Sequence, residues 1–445
     1  MSEPSEPTGP TASRPLPGPA TATDPDVAIV GAGPAGLLLG LLLGRRGRRV
    51  LLIEREGAPE LGGPGNGICP ILQPATLGVL GDLGLLPDLI KGTTPVTHGE
   101  VVAGGTVVAG YAYAELPGTP VDFALPTSIV QLRDVLTEAV RATPGVEVVY
   151  GATVHGLTAP EGADGTRGLL LETAEGKRTL HPSLIVGCDG KRSAVRQMAG
   201  IAAEVTEFRR GYLELRVPMP DFWGGVMRAY FTADGYMLGT PIADDQLLFV
   251  WITDEETAGR AADGPLGELV EKYASGIPDA ADWIRSHTRD RSQVREFPHH
   301  IVRPERWVDG NVLLVGDSAH GVHVYGGQGL NLSLQDAACL ADAVDEALTS
   351  QDTAELHRFE AVRMPFVSAF QDMQELHLAA LAARGAQQGG GQQGGGQQGG
   401  GQQGGGQQGG GHLPEFAPLA LGQSELRAAL AAAALGLPRS GGEAG

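Results

Sequence analysis

The sequence predicts an α/β protein in which a parallel-sheet unit carries an inserted antiparallel β-sheet and is followed by a helical segment. Three observations lead there. First, Val27-Ala28-Ile29-Val30 runs into Gly31, a helical stretch follows from Pro34 to about Arg46, and Val50-Leu51-Leu52-Ile53 completes a βαβ unit. Second, the apolar runs Leu184-Ile185-Val186-Gly187 and Val312-Leu313-Leu314-Val315 end in acid-bearing turns at Cys188-Asp189 and Gly316-Asp317. Third, the segment 206–255 holds the β-type runs Arg228-Ala229-Tyr230-Phe231, Tyr236-Met237-Leu238-Gly239 and Leu247-Leu248-Phe249-Val250-Trp251. Turn signals at Asp234-Gly235 and Asp244-Asp245 separate them.

With 445 residues and 42% apolar content, the chain can form two or three domains with a buried core. A formal net charge of −20 repels polyanions and excludes nucleic acid as a natural partner. It does not exclude a dinucleotide, whose phosphates backbone N–H groups can hold at a helix start. Cys69, Cys188 and Cys339 show neither a CxxC nor a metal-ligand spacing, so a cytoplasmic setting without metal or disulfide framework is expected.

Residues 1–24, rich in Pro, Ser, Thr and Gly, read as a disordered leader that lacks the features of a secretory signal. The apolar run from Leu37 to Leu43 is far shorter than the roughly 20 residues of a membrane span and is expected to be a buried helix. Over residues 387–411 the unit Gln-Gln-Gly-Gly-Gly repeats five times, a flexible linker by composition. The tail, 412–445, contains an Ala-rich stretch from Ser424 to Leu435 able to form a short helix.

The turn after the first strand reads Gly31-Ala32-Gly33-Pro34-Ala35-Gly36. Gly31 permits the tight bend, Gly33 lets the backbone approach a pyrophosphate, and Gly36 allows helix and strand to pack closely. Pro34 and Ala35 open the helix whose positive end would face the phosphates. Glu54 ends the next strand, where a carboxylate can accept hydrogen bonds from both hydroxyls of an adenosine ribose. This fingerprint suits NAD and FAD alike.

The later motifs favour FAD. Asp317 follows an apolar strand and can hold the ribityl chain that FAD has and NAD lacks. Gly326-Gly327-Gln328-Gly329-Leu330-Asn331 then opens a helix, with Leu330, Leu334, Ala337, Ala341, Val344 and Leu348 at helical spacing. Exposed N–H groups at that helix start would stabilise negative charge on a reduced flavin ring.

Gly316-Asp317-Ser318-Ala319-His320 with Gly327-Gln328-Gly329-Leu330-Asn331 resembles the GD motif and following GQGxN segment of the para-hydroxybenzoate hydroxylase-like (group A) FAD-dependent monooxygenases. Cys188-Asp189-Gly190-Lys191-Arg192-Ser193-Ala194-Val195-Arg196 is similar to their DG motif, and the segment around Arg363 and Pro365 to their later helix. The resemblance covers residues 26 to 370. It implies a Rossmann-like FAD-binding domain of the GR2 type from residues 25–96, 126–205 and 297–350. It further implies an inserted antiparallel substrate domain from 97–125 and 206–296, and C-terminal helices over 351–386.

By the same resemblance Gly31, Gly33, Pro34, Ala35, Gly36 and Glu54 would hold the ADP half of FAD, and Asp317 the ribitol. The backbone at Gly327, Gly329, Leu330 and Asn331 would face the flavin, and Asp189 would serve both FAD and a transient NADPH or NADH. Arg133, with Leu136 and Val140 at helical spacing, resembles the family's FAD-contacting arginine, and Gln131 is the rival for that contact.

Two departures from the family pattern matter. His323-Val324-Tyr325 replaces the proline before the GQG stretch, which reshapes the expected oxygen site. Gly62-Gly63-Pro64-Gly65-Asn66-Gly67 lacks an arginine common in relatives, leaving Arg55 or Arg133 to assist the pyrophosphate. Arg228, Tyr230, Tyr236, Phe249 and Trp251, with His323 and Tyr325, are candidate pocket walls. Period-two alternation puts Arg228 with Tyr230, and Phe249 with Trp251, on shared faces. No side chain is assigned as catalytic, because in the family the flavin C4a-hydroperoxide is itself the oxidant and the protein orients substrate and excludes water.

No second glycine fingerprint is present, so a separate nicotinamide domain is not expected, and the four tryptophans do not form the W-x-W-x-I-P signature of flavin halogenases. The resemblance implies a hydroxylase that uses O2 and NADPH or NADH to insert one oxygen atom into a small aromatic or polyketide-like molecule. Epoxidation, Baeyer–Villiger insertion or dehydrogenation on the same fold stay open, as does a non-catalytic flavin-binding interaction protein tethered through the repeats.

Overall fold

A computed structural model describes Leu16 and residues 24–61, 68–103, 105–161, 165–232 and 235–389, with side chains as far as residue 380. In chain order the elements used below are β1 (Val27–Val30), α1 (Pro34–Arg45), β2 (Val50–Glu54), β3 (His98–Ala103), β4 (Thr106–Ala112), α2 (Ile129–Arg141), β5 (Val146–Tyr150), β6 (Leu184–Gly187) and α3 (Ala194–Met198). There follow β7 (Tyr212–Pro218), β8 (Val226–Thr232), β9 (Gly235–Ile242), β10 (Gln246–Ile252), α4 (Glu255–Asp263), α5 (Leu266–Gly276), α6 (Ala281–His287), β11 (Val294–Glu296), β12 (Val312–Leu314), α7 (Asp317–His320), α8 (Gly329–Ser350) and α9 (Ala354–Gly389).

Strands β12, β6, β1, β2 and β5 lie parallel in that order, with Val308–Asp309 antiparallel at the edge. Strands β1, β6 and β12 are apolar on both faces because both are covered. One face packs α1, α2 and α8 through Leu37, Leu41, Leu132, Leu334 and Val344. The other packs a three-stranded sheet from 153–180 through Val154, Leu169 and Leu171, meeting Leu51, Ile53 and Ile185. The run Leu37 to Leu43 is a helix deep in this core, as its length and apolarity predict. Helix α8 begins one residue before Leu330 and buries Leu334, Ala337, Ala341 and Val344, the predicted stripe.

A seven-stranded sheet follows the order β11-β7-β10-β9-β8-β3-β4. It is antiparallel except where β8 runs parallel to β3, since β3 arrives from the first third of the chain and not through a hairpin. One face is covered by α4, α5 and α6, packed through Tyr230, Met237, Phe249, Trp251, Leu269 and Tyr273. The opposite face carries Tyr212, Tyr236, Ile242, Leu248, Val250 and Ile252 and meets Tyr325 from the loop before α8.

Two expectations about the ends change. Leu16 is not part of an unpacked leader: it is only 3% exposed and its N–H donates to Gln351 O at 2.7 Å, because a single leucine among prolines can still bury its side chain in the α8 core. The last helix contains Pro365 and continues to Gly389, three residues into the repeat. The remaining repeats, the 424–435 stretch and the Asp234 turn lie outside the described residues. Among the described residues no helix is long and apolar enough to cross a membrane.

Candidate functional site

The parallel strands β12, β6, β1 and β2 bring their C-terminal ends to one edge of the sheet, and most of the predicted cofactor residues gather there. Gly31 has φ of 105°, and a Cβ on it would lie 2.4 Å from Cys188 O, so no side chain is tolerated. A Cβ on Gly36 would lie 2.1 Å from Gly31 O, which seats α1 directly against the turn. Gly33 is different: a Cβ there meets no atom within 4 Å, so the space before the first turn of α1 is open. No side chain caps that turn, and its N–H groups are left to face the opening. Glu54 Oε2 accepts from the Ala32 N–H at 2.9 Å and Oε1 from the Glu56 N–H at 3.0 Å, fixing the carboxylate beside the glycines.

Farther along the edge, β12 leads to Gly316, whose φ of 63° and contact with Ser333 again require glycine. Asp317 opens α7, half-buried and without a hydrogen bond to another described side chain. Ser318 Oγ donates to Gly187 O, joining this turn to the end of β6. Asp189 Oδ2 accepts from the N–H groups of Ala194 and Val195 at 2.6 and 3.0 Å and so starts α3, while its Oδ1 is buried with no partner among the described residues. Gly327 leads through Gln328 to Gly329 and Leu330 at the start of α8, which also has no side-chain cap. The Asn331 side chain is committed to the fold: Oδ1 accepts from the Gln73 N–H and Thr76 Oγ1, and Nδ2 donates to Ile71 O, leaving only its backbone for a ligand.

An extended dinucleotide fits this edge. Open space and uncapped N–H groups at α1 suit a pyrophosphate, and the fixed Glu54 carboxylate suits a ribose. Asp317 and the orphaned Asp189 oxygen offer acceptors for hydroxyl groups, and the helix start at α8 offers donors for a ring system.

Three polar candidates have partners within the protein. Gln131 Nε2 donates to the carbonyls of Asp88, Leu89 and Lys91, capping the helix Leu86–Ile90, because a helix end with unpaired carbonyls takes the nearest amide. Arg133 donates to Asp134 at 2.9 Å, and the exposed Arg55 to Glu56 at 3.2 Å, each engaged by its sequence neighbour. Residues 62–67 lie outside the described residues.

The pocket assignment also changes. Arg228, Tyr230, Phe249 and Trp251 do share faces in pairs, but on the side covered by α4–α6. Tyr230 Oη donates to Asp279, and Arg228 pairs with Glu100 at 2.8 Å over the Trp223 ring. These side chains are core of the inserted sheet and are removed from the list of pocket walls. Tyr236 lies on the opposite face, edge-on to Tyr325 at 5.5 Å. His323 is buried, its Nδ1 accepting from the Tyr325 N–H at 3.0 Å and its ring edge-on to His299 at 5.1 Å. Burial, with the nearby Lys191 charge, lowers its pKa to about 4; burial and the neighbouring His323 lower that of His299 to about 2.

Residues not singled out from sequence complete this wall. Tyr212, Glu214 and Arg216 share the face of β7 that carries the site, and Tyr212 Oη donates to Glu214 Oε1 at 2.8 Å. The signal was present: polar residues at 212, 214 and 216 alternate with Leu213, Leu215 and Val217, a polar row in a strand buried on both sides.

The family model described as "FAD binding domain" matches residues 24–374. Protoasukamycin 4-monooxygenase of Streptomyces nodosus subsp. asukaensis is 32% identical over 356 residues, covering 78% of this chain and 86% of that protein. The 6-methylpretetramide 4-monooxygenase of Streptomyces rimosus is 29% identical over 340 residues, covering 76% and 79%. Among solved structures, PqsL of P. aeruginosa in complex with 2-aminobenzoylacetate superposes with a TM-score of 0.71 at 25% identity, over 81% of this chain and 97% of that one. The chain belongs to the FAD binding domain family, among the para-hydroxybenzoate hydroxylase-like flavoprotein monooxygenases that its motifs resemble.

Proposed function

We propose that this protein is an FAD-dependent monooxygenase that inserts one atom of O2 into a small aromatic or polyketide-like substrate, with NADPH or NADH as electron donor. The observation that carries the reading is the convergence of both glycine turns, Glu54, Asp189 and Asp317 on one edge of the parallel sheet. Relatives named as 4-monooxygenases of protoasukamycin and 6-methylpretetramide support the substrate class.

In this reading the unit from residues 25–96, 126–205 and 297–350 binds FAD, and that from 97–125 and 206–296 closes over the substrate. The N–H groups of α1 hold the pyrophosphate, Glu54 the ribose, and Asp317 with Asp189 the ribityl chain. Bound FAD supplies hydride acceptance from the nicotinamide and activation of dioxygen. The N-terminus of α8 stabilises negative charge on the ring system, and the apolar layer around Tyr236 and Tyr325 keeps water from the reacting atoms.

Labelled dioxygen tests the reading. NAD(P)H oxidation should be slow alone, accelerate with an accepted aromatic substrate, and yield a product carrying one labelled oxygen. Label arriving from water, or product formed without oxygen, removes the monooxygenase assignment and leaves FAD binding intact.

A further inference from the structure

The loop that leads from α7 into α8, residues 321–328, is buried at Gly321, Val322, His323, Tyr325 and Gln328. Buried backbone outside helix and sheet must find other partners for its polar groups. Two glutamines one turn apart on α9 supply them. Gln371 Nε2 donates to Gly321 O at 2.9 Å and to Val302 O at 3.0 Å, which joins the loop to the strand His299–Pro304. Gln374 Oε1 accepts from the His323 N–H at 3.0 Å, and its Nε2 donates to His323 O at 2.8 Å and to Tyr325 O. The oxygen and both amide hydrogens of Gln374 are thereby used, and the side chain is wholly buried. Turning the amide over would press its oxygen against two carbonyls, so one orientation is fixed.

All three bonds of Gln374 fall on His323-Val324-Tyr325. None of these residues restrains its own backbone as a proline would, so the restraint comes from α9. Inside the loop the Tyr325 N–H donates to His323 Nδ1 at 3.0 Å, and the Gly327 N–H to Val324 O at 2.8 Å. These bonds shape the turn without tying it to another element. Lys191 Nζ donates to Val322 O at 2.8 Å, upstream of the stretch, and Asn331 Nδ2 to Gly327 O at 3.3 Å, downstream of it. Between those two ties, every hydrogen bond that leaves the loop goes to Gln374 among the described residues. The Tyr325 ring sits edge-on to Tyr236 of β9 at 5.5 Å, in the apolar layer where the inserted sheet meets the loop.

We propose that Gln374 is a positioning residue: from α9 it holds Tyr325 against Tyr236, and through that contact it keeps the apolar layer of the site closed to water. It acts through Tyr325 and not on a ligand. The inference rests on the proposed function only in taking this layer as the wall beside bound FAD. Gln371 is the internal control, since its loss frees bonds of the same kind at Val302 and Gly321, upstream of the stretch that Gln374 pins.

Hydrogen exchange by mass spectrometry is followed in the FAD-free and FAD-loaded protein, with the visible absorption of bound FAD recorded beside it. Gln374→Met should speed exchange about tenfold or more in residues 321–328 and in β9, and leave FAD affinity within about threefold. The flavin band should move toward that of free FAD. Gln371→Met should speed exchange around residues 299–304 and leave the flavin band as it is. Tyr325→Leu keeps the backbone carbonyl for Gln374 and removes the ring; it should move the band in the same way, and it decides the question if Gln374→Met does not fold. A band unmoved in Gln374→Met or Tyr325→Leu, faster exchange confined to the loop, or the same band change in Gln371→Met overturns the proposal. A moved band in a protein that incorporates no oxygen from O2 would keep the role of Gln374 and remove the proposed function; oxygen incorporation with an unmoved band would do the reverse.

Discussion

Arg363 Nε donates to Asp336 Oδ1 at 2.6 Å, and both side chains are almost wholly buried at the junction of α8 and α9. His320 Nε2 meets the other carboxylate oxygen, so one aspartate ties α7, α8 and α9 together. Burial alone would raise the pKa of Asp336; the charges of Arg363 and His320 outweigh it and hold the carboxyl below its ordinary value.

Arg363→Met should therefore destabilise the protein by about 3–5 kcal/mol, since it leaves a buried carboxylate with too little compensation. Urea unfolding of the FAD-free proteins measures it. A loss below about 1 kcal/mol would mean that water or His320 replaces the guanidinium.

Gly33→Val should abolish FAD retention and leave the apoprotein's unfolding free energy within about 0.5 kcal/mol, because a Cβ there touches no protein atom. Gly36→Val should instead lower stability itself, since its Cβ would lie 2.1 Å from Gly31 O. Flavin absorbance after gel filtration, set beside apoprotein unfolding, separates the two. Equal damage to both folds would show that Gly33 is a structural turn only.

Asp317→Ala should weaken FAD binding by roughly 10- to 150-fold, the equivalent of losing a charge-assisted hydrogen bond of about 1.5–3 kcal/mol. An unchanged dissociation constant on refolded apoprotein would reduce Asp317 to a helix-start residue.

His299 and His323 give the stability a defined pH dependence. Their folded pKa values, about 2 and about 4, lie below the unfolded 6.5, so the unfolded chain binds protons first as pH falls. Stability should be full above pH 6.5 and decline from there toward pH 4, with the His299 contribution still falling below that. His299→Phe should flatten the decline between pH 6.5 and 5. Identical slopes for the two proteins would show that the histidines are not the source.

The cofactor edge was legible because its signals are local. A strand, a glycine turn and a helix start within ten residues fix their own geometry through sterics and backbone hydrogen bonds, as at Gly31 to Gly36 and at Gly316-Asp317. Even there the sequence missed that the Asn331 side chain would staple the segment 71–76 to α8, because its partners lie some 255 residues away.

By itself the sequence determined the βαβ start, the α8 stripe and which side chains of the inserted sheet share a face, since alternation along a strand is a property of the backbone. Tertiary structure alone decided which face meets the cofactor edge. It turned Phe249 and Trp251 toward α4–α6 and put Tyr212, Glu214 and Arg216 on the face of the sheet that meets Tyr325. A period of two relates neighbours without naming the layer above them; that depends on helices packed from later in the chain, which bury the more apolar face and leave the polar row for the other.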